Sequence, residues 1–462
     1  MIKDLTKGPA IKLILLFSIP LLIGNIFQQL YNLADIVIVG RLLGVKALAS
    51  VGAVAPLFFL IMFAIAGMTN GFAVITGQKF GAGDVCGVRR SVAISTILST
   101  VFTVFFSILF IVLMKPILFM MNVPEEIFTD AYWYIQICVG GLLTANYYNL
   151  LASVLRALGD SKTPLYFLII ASVLNVLLAL LFILKFNMGV PGSAVAVVIS
   201  QAFSVILCLV YIKKRFPILH LKKDDWIFKK ENRKEDWNFI LEHLNVGLPM
   251  ALQFSVLGIS ILIIQSVCNT FGADVIAAFT AALRIEQIAT LPMISFGVAV
   301  SAFVAQNFGA GNINRIRYGV LKTSMINLIL SFLMAVVMRY WGTDIVGIFI
   351  GNDKTSVIKI AHDYLLISTI FYFFLAQIFV FRNALQGMGR PLIPLISSFT
   401  ELMIRAFAAV YLAVKFNYFG IFYAGPIAWV TASVVVFIGY SINIKKLIFA
   451  QKFNLAEKSL EE

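Results

Sequence analysis

Three carboxylates fall inside strongly apolar stretches of the chain, and their side chains have the clearest potential for chemistry. They are Asp35, Glu286 and Glu401. An ionised carboxylate at the centre of a bilayer costs at least about 2.5–3.5 kcal/mol, so each of these groups must be paired, hydrated or protonated. A carboxylate that takes up and releases a proton or a cation is what ion-coupled transport across a membrane requires.

Asp35 ends a polar stripe on the first apolar helix. Asn25, Gln28, Asn32 and Asp35 are spaced three, four and three residues apart. This spacing puts all four on one helix face. A polar stripe on an otherwise apolar helix is typical of a cavity wall rather than of a surface that faces lipid. The alternative is a hydrogen-bonded contact that only packs helices together.

The stripe predicts an ion-coupling site. An apolar surround favours the protonated carboxylic acid, whereas a nearby cation favours the ionised form, so one aspartate can exchange H⁺ for a cation. We expect Asn32, Tyr31 and Asn175 to complete the site around Asp35, with H⁺ or Na⁺ as the coupling ion. The four cysteines and three histidines are scattered, so we expect no cofactor and no metal site beyond this one.

The other two carboxylates have different sequence neighbours. Glu401 precedes Arg405 by four residues, which is the favourable order for an ion pair within one helix, and we predict a structural pair. Glu286 has Thr290 at the same spacing and no cation. Either an ion-linked site or a bond to another helix would satisfy it.

Polar side chains from several apolar segments are predicted to line a substrate cleft near the middle of the membrane. They are Asn25, Gln28, Asn146, Asn149, Gln253 and Glu286.

The composition requires that lipid surround most of the chain. Of its 462 residues 61% are hydrophobic and 13% are charged, and the mean hydropathy is +0.96. Soluble domains have about 45–50% apolar and about 25% charged residues. Apolar runs such as Val101–Met114 and Leu165–Leu184 lack the alternation of a barrel strand, so the membrane-spanning elements are predicted to be helices.

A helix needs about 20 apolar residues to cross a bilayer, and the hydropathy pattern predicts twelve crossings. They cover residues 13–37, 47–75, 91–117, 129–155, 163–184, 190–212, 243–271, 275–303, 320–341, 358–385, 392–415 and 419–443.

The basic residues sort by side when the chain is threaded through these crossings. Most of the 36 lysines and arginines fall on the side of the two termini, including Arg382. By the positive-inside rule that side is cytoplasmic, which predicts a multi-pass protein of the inner (plasma) membrane. The net charge of +14 is therefore a topology signal and an attraction to anionic lipid, not a nucleic-acid-binding feature.

The two halves of the chain repeat one another. Each copy holds six predicted crossings, an even number, so both copies enter the membrane from the same side and form a parallel repeat with substrate expected between the bundles. Three pairs of motifs match at a nearly constant offset along the chain, namely Gln78–Gly83 with Gln306–Gly311, Leu155–Gly159 with Leu385–Gly389, and Lys185–Asn187 with Lys415–Asn417.

The repeat sets the expected domain organisation. We predict an N-terminal six-helix bundle over 1–212, a basic cytoplasmic linker over 213–239, a C-terminal bundle over 240–445 and a cytoplasmic tail over 446–462. The linker is predicted to lie on the inner leaflet or to be solvated.

Several of these segments resemble the multidrug and toxic compound extrusion (MATE) family. They are Tyr31–Asp35 with Val39-Gly40 and Leu43-Gly44, then Gly77-Gln78 and Gly81–Gly83, and in the second half Gln306–Ala310 and Gly387–Gly389.

The resemblance covers essentially the whole chain and implies an all-α integral membrane protein of two six-helix lobes that form a V-shaped central cleft. It also implies export of cationic or amphipathic compounds in exchange for H⁺ or Na⁺ by alternating access. Asp35 matches the family's first-helix acid, and Asn175 matches its fifth-helix asparagine.

Two departures from the family pattern bear on the coupling ion. Many members carry a second acid one turn after the asparagine, where this chain has Ala179. The acids that NorM-type members carry in the seventh and tenth spans are also missing here, since none lies between His243 and Phe271 or after Asp363 in the tenth span. The chain is more similar to the DinF/MepA-like members. The missing second carboxylate would be a ligand for Na⁺, so its absence favours H⁺ as the coupling ion.

Two other functions are weighed against drug export. A lipid-linked oligosaccharide flippase of the same superfamily should line its cleft with several cations, and only Arg284 and Arg405 are candidates. A membrane-embedded enzyme would need clustered catalytic or metal-binding residues, which this sequence does not group. We therefore expect a monomeric transporter, not an enzyme, whose partners are small organic cations or amphipathic drugs and membrane lipid.

Overall fold

The computed structural model describes residues 4–226, 233–351 and 354–461, and helices account for nearly all of them. Residues 227–232 of the predicted linker lie outside the described residues. The first seven helices are α1 (Ala10–Gly81), α2 (Val85–Met120), α3 (Glu125–Gly140), α4 (Leu142–Ala157), α5 (Lys162–Leu180), α6 (Gly189–Arg215) and α7 (Arg233–Cys268). The remaining six are α8 (Ala273–Gly309), α9 (Ile313–Ile350), α10 (Thr355–Ile370), α11 (Tyr372–Gly387), α12 (Leu392–Phe416) and α13 (Tyr418–Glu461).

Helix α1 provides two membrane crossings. Its 72 residues would extend about 108 Å as one straight helix, far more than the roughly 30 Å of bilayer hydrocarbon. The helix is broken at Gly44, where φ is 86° and ψ is −176°. Only glycine adopts this conformation without a steric penalty, so Gly44 allows the chain to reverse.

The described helices give nine to eleven candidate crossings with α1 counted once, and the predicted twelve when the break at Gly44 divides α1 into two. Nine helices are long and apolar enough to cross a bilayer, α1 counts twice, and two bent pairs of shorter helices each add one crossing. The pairs are α3 with α4, bent by 46° at Gly141, and α10 with α11, bent by 54° at Phe371. Hydropathy did not predict these bends, because it measures the apolar content of a segment and not its direction.

The duplication seen in the sequence recurs in the backbone. Gly272 is the counterpart of Gly44 in the second copy and has nearly the same conformation, with φ 89° and ψ 170°. Asn187 and Asn417 end one pair of matching motifs and have φ values of 52° and 55°, in the left-handed region that few residues other than glycine adopt. Both copies therefore turn at equivalent positions.

The described chain forms two compact units whose limits differ from those of the sequence repeats. The first consists mainly of Pro20–Ser255 and the second of Leu5–Ile19 with Val256–Glu462. The start of α1 thus belongs to the second unit, and the start of α7 belongs to the first unit. The predicted domain boundaries describe the repeat and remain a prediction.

Glycines let the start of α7 pack closely within the first unit. A Cβ atom added at Gly71 of α1 would lie 2.6 Å from the Cα of Gly247, and one added at Gly67 would lie 2.5 Å from the carbonyl oxygen of Met250. Small residues at such crossings bring helix backbones together, which is how helices associate in a membrane without a hydrophobic driving force. In the second unit, the backbone N–H of Leu5 donates to Oε1 of Gln306, and the carbonyl oxygen of Leu5 accepts from Nδ2 of Asn307.

We predict that Gly71→Ala lowers the thermal stability of the purified protein, because the new methyl group overpacks the contact with Gly247 at a cost of about 1–3 kcal/mol. Gly52→Ala is the matched control, since a Cβ at Gly52 of the same helix meets nothing within 4 Å. The control should keep or raise the apparent melting temperature in detergent, because alanine favours helix over glycine. Equal melting temperatures for the two variants would contradict this packing.

Candidate functional site

The polar stripe on α1 belongs to the first unit. Asn25, Asn32 and Asp35 are partly buried, and Gln28 is exposed. The intermediate burial of the carboxylate means that the protein covers most of this side chain without sealing it off.

Asp35 accepts a hydrogen bond from a residue that the sequence did not single out. The hydroxyl of Ser193 donates to Asp35 Oδ1 at 3.0 Å. Ser193 is fully buried in the first turns of α6, where the chain resumes a helix after the left-handed turn at Asn187. No described lysine or arginine forms an ion pair with Asp35, so a neutral hydroxyl is its only observed donor.

Three further polar side chains lie near this carboxylate. Tyr31, Tyr134 and Cys138 are within electrostatic range of Asp35. Tyr31 is one of the expected partners, whereas Tyr134 and Cys138 of α3 were not predicted. Their hydroxyl and thiol groups make the surroundings of the acid weakly polar and uncharged.

Two buried asparagines have no hydrogen bonds from their side chains. Asn175 of α5 is 1% exposed and Asn146 of α4 is 0% exposed, and neither amide has a partner on its oxygen or its nitrogen. Asn175 therefore makes no hydrogen bond to Asp35 in this structure, and its part in an ion-coupling site remains a prediction. Ala179, one turn further along α5, is also fully buried, so the position where relatives carry a second acid is an apolar contact.

The remaining candidates for the substrate cleft in the first unit are Asn149 and Gln253, which lie on different helices. Asn149 donates to the carbonyl of Ala145 in its own helix at 2.8 Å, and Gln253 of α7 is buried. Their assignment to a cleft remains a prediction.

Glu286 bonds to another helix, which was one of its two predicted alternatives. The hydroxyl of Tyr364 in α10 donates to Glu286 Oε2 at 2.9 Å. Tyr364 is 4% exposed and packs edge-on against Phe279 and Phe422 at ring-centroid distances of 5.1 and 5.4 Å. This aromatic cluster holds the tyrosine hydroxyl against the carboxylate.

Glu401 is the centre of a buried charge network in the second unit. Arg405 Nη2 lies 2.5 Å from Glu401 Oε1, and Arg382 Nη2 lies 3.0 Å from Glu401 Oε2. Arg405 also donates to the hydroxyl of Ser260 at 3.1 Å. The spacing of Glu401 and Arg405 anticipated the first contact. Arg382, which was counted with the cytoplasmic charges, is instead a buried partner in α11 with 6% exposure.

The described residues contain no group of three or more histidine, cysteine, aspartate or glutamate side chains arranged to hold a metal ion. Neither Ser193 nor Tyr364 had a distinguishing signal in the sequence, because serines and tyrosines are common in the apolar segments.

Twelve crossings with a duplicated backbone and ionisable groups inside the spans define a polytopic helical membrane transporter. A model of the MatE family matches residues 20–181 and 249–412, one segment in each copy of the repeat. The chain belongs to this MATE family of transporters, as the sequence resemblance predicted, and this membership excludes the enzyme alternative.

Relatives and solved structures agree with this assignment. The chain is 31% identical over 393 residues to the probable multidrug resistance protein YpnP of Bacillus subtilis strain 168, which covers 84% of this chain and 85% of YpnP. It is 27% identical over 438 residues, 93% of each chain, to the probable multidrug resistance protein YoeA of the same organism. A solved structure of a multidrug resistance MATE family transporter in an outward-facing conformation has the same fold, with a TM-score of 0.87, 24% identity and coverage of 96% of this chain and 98% of the other.

We predict that Glu401→Gln strongly destabilises the protein, because it leaves Arg382 and Arg405 without a counter-charge inside the membrane. Breaking a buried ion pair in this way costs about 3–5 kcal/mol. Glu126→Gln is the matched control: Glu126 pairs with Lys46 at 2.7 Å, but their side chains are 72% and 75% exposed. Exposed pairs contribute little. Apparent melting temperatures in one detergent would test this difference, and an equal loss in both variants would show that the network is not stabilising.

Proposed function

We propose that this transporter exports cationic or amphipathic organic compounds in exchange for H⁺, with Asp35 as the coupling group. The observation that carries this proposal is a partly buried carboxylate inside the membrane whose only observed donor is the hydroxyl of Ser193. Without a cation beside it, such a group gains stability when it binds a proton or a positively charged ligand.

One carboxylate with two alternative ligands provides a simple basis for exchange. A proton and an organic cation each neutralise the same single charge. Once one of them is bound, the other gains little electrostatic free energy by binding to the carboxylate. Ser193 stabilises the ionised form by donating a hydrogen bond, and the weakly polar neighbours Tyr31 and Tyr134 leave the protonated form accessible. Coupling in opposite directions follows when the two states of the carboxylate face opposite sides of the membrane.

The proton is favoured over Na⁺ by the oxygen atoms around the acid. Asp35 and Ser193 provide few ligands for a metal ion, and Ala179 offers none at a position where other members carry an acid. The relatives YpnP and YoeA are described as probable multidrug resistance proteins, which supports drug-like substrates for this chain as well.

The charge network of the second unit bears on the flippase alternative. Binding of a pyrophosphate would require free cations, but Arg405 already pairs with Glu401 and donates to Ser260. This observation supports drug export over transport of a lipid-linked oligosaccharide. The distribution of basic residues supports cytoplasmic termini and, with the family membership, a location in the plasma membrane.

We expect Asp35→Asn to abolish coupled efflux while the protein still folds. The amide keeps the size of the side chain and an oxygen that accepts from Ser193, but it can neither bind a proton at neutral pH nor carry a charge. Efflux of ethidium and norfloxacin from a pump-deficient host would measure the loss. Asp130→Asn, at an exposed aspartate of α3, is the matched control and should transport normally. Normal efflux by the Asp35 variant, at equal expression and with a monodisperse elution profile, would disprove the coupling role.

The coupling ion can be identified in sealed vesicles that contain the purified protein. An imposed pH gradient in sodium-free buffer should drive drug transport, and collapse of that gradient should stop it. A sodium gradient at equal pH should drive little. If instead only the sodium gradient supports transport, Na⁺ is the coupling ion and the proposed proton exchange is wrong.

A further inference from the structure

A cavity of about 520 Å³ opens in the second unit between α9, α11 and α13. Its volume is in the range of sites that bind small molecules. Apolar side chains form most of the wall, and two cations stand at one end. The residues that matter for its chemistry are Arg317, Leu321, Phe381, Phe437, Tyr440 and Lys445.

The polar end of this cavity holds two exposed cations and one buried hydroxyl without a partner. Arg317 and Lys445 form no ion pair among the described residues, and none of the described lining residues is acidic. Tyr440 is 6% exposed, lies within electrostatic range of Arg317, and its hydroxyl has no hydrogen-bond partner. The ring of Phe381 packs against the Tyr440 ring at a centroid distance of 5.1 Å and a tilt of 39°. Two cations and an orphaned donor are the groups that bind a phosphate oxygen.

The internal repeat identifies the equivalent positions in the first unit. Helix α9 aligns with α2 through the matching motifs that begin at Gln306 and Gln78, and α11 aligns with α4 through those that begin at Leu385 and Leu155. The Ile-Lys-Lys sequence at 444–446 of α13 aligns with the same three residues at 212–214 of α6. These alignments pair Arg317 with Arg89, Val320 with Val92, Phe381 with Leu151, Tyr440 with Cys208 and Ile444 with Ile212.

The equivalent groove of the first unit is filled by the linker. Phe216 and Leu219, which follow α6, pack in one buried cluster with the four apolar counterparts of the cavity wall. The carboxylate of Asp225 lies 3.1 Å from Nε of Arg89, and both side chains are nearly buried. The groove thus takes apolar groups along its length and one anion at its basic end.

We propose that the cavity in the second unit binds an anionic phospholipid. Such a lipid supplies both an apolar chain and an anion, as the linker does in the first unit. The phosphate would accept hydrogen bonds from Arg317, Lys445 and the Tyr440 hydroxyl, as Asp225 accepts from Arg89. An acyl chain would lie against Leu321 and Phe437, which are 51% and 53% exposed. In the proposed topology this end faces the cytoplasmic leaflet, where basic residues attract anionic lipid.

Native mass spectrometry of the full-length protein in detergent would test this site with phosphatidylglycerol as the probe and phosphatidylcholine as the zwitterionic comparison. The double variant Arg317→Gln with Lys445→Gln should bind phosphatidylglycerol about thirtyfold more weakly, or roughly fivefold for each cation. Tyr440→Phe, which keeps the ring against Phe381, should weaken binding severalfold. Phosphatidylcholine binding should not change.

The matched control removes two exposed cations outside the cavity, by Arg390→Gln with Lys446→Gln. Equal phosphatidylglycerol affinity in the two double variants would overturn the site. If the cavity double variant does not fold, the single variants Arg317→Gln, Lys445→Gln and Tyr440→Phe take its place, and wild-type affinity in all three would overturn the site. Inorganic phosphate that competes as well as the lipid would show a free anion site instead. Lipid binding that appears only after removal of residues 452–462 would show that the chain's own tail occupies the cavity in the full-length protein, which would also overturn the proposal.

Discussion

A bilayer interior that offers no hydrogen bonds is the constraint on which this structure depends. It forces every crossing segment to satisfy its own backbone, which is why the described chain is almost entirely helical. The same solvent makes each ionisable group inside a span depend on its neighbours. Glu401 meets this requirement with two guanidinium groups and Glu286 with a tyrosine hydroxyl, whereas Asp35 has one serine hydroxyl and no cation. Asp35 and Glu286 are therefore each compensated by a single neutral hydroxyl, whereas Glu401 is compensated by charge.

Duplication produced two copies with equivalent turns and different chemistry. The matching conformations of Gly44 and Gly272 show that the backbone design was retained, because a reversal at these positions depends on geometry that only glycine supplies at low cost. Side chains inside the copies were free to diverge. The second unit has a neutralised network around Glu401, which is suited to holding helices together. In the first unit Asp35 has a hydrogen bond from Ser193 and no cationic partner among the described residues.

The sequence predicted what depends on local pattern and missed what depends on contacts between helices. The twelve crossings follow from apolar runs, the repeat follows from motifs at a nearly constant offset, and the contact of Glu401 with Arg405 follows from a spacing of four. Ser193 and Arg382 were missed as partners because they reach a carboxylate from a different helix, and no spacing along the chain encodes such a contact. Asn175 was expected to complete the site around Asp35; its amide makes no hydrogen bond in this structure, and its role stays a prediction.

A duplicated chain has two copies of each groove but only one segment that joins the copies. The linker here supplies Phe216, Leu219 and Asp225 to the groove of the first unit, and its acid neutralises Arg89. Among the described residues that line the groove at Arg317 there is no acidic counterpart of Asp225, so the charge of that groove is not neutralised in the same way. In a membrane the most abundant molecule with both an apolar chain and a negative charge is an anionic lipid. The described parts of the two grooves thus differ in their counter-charge, and an anionic lipid of the bilayer would supply in the second unit what Asp225 supplies in the first.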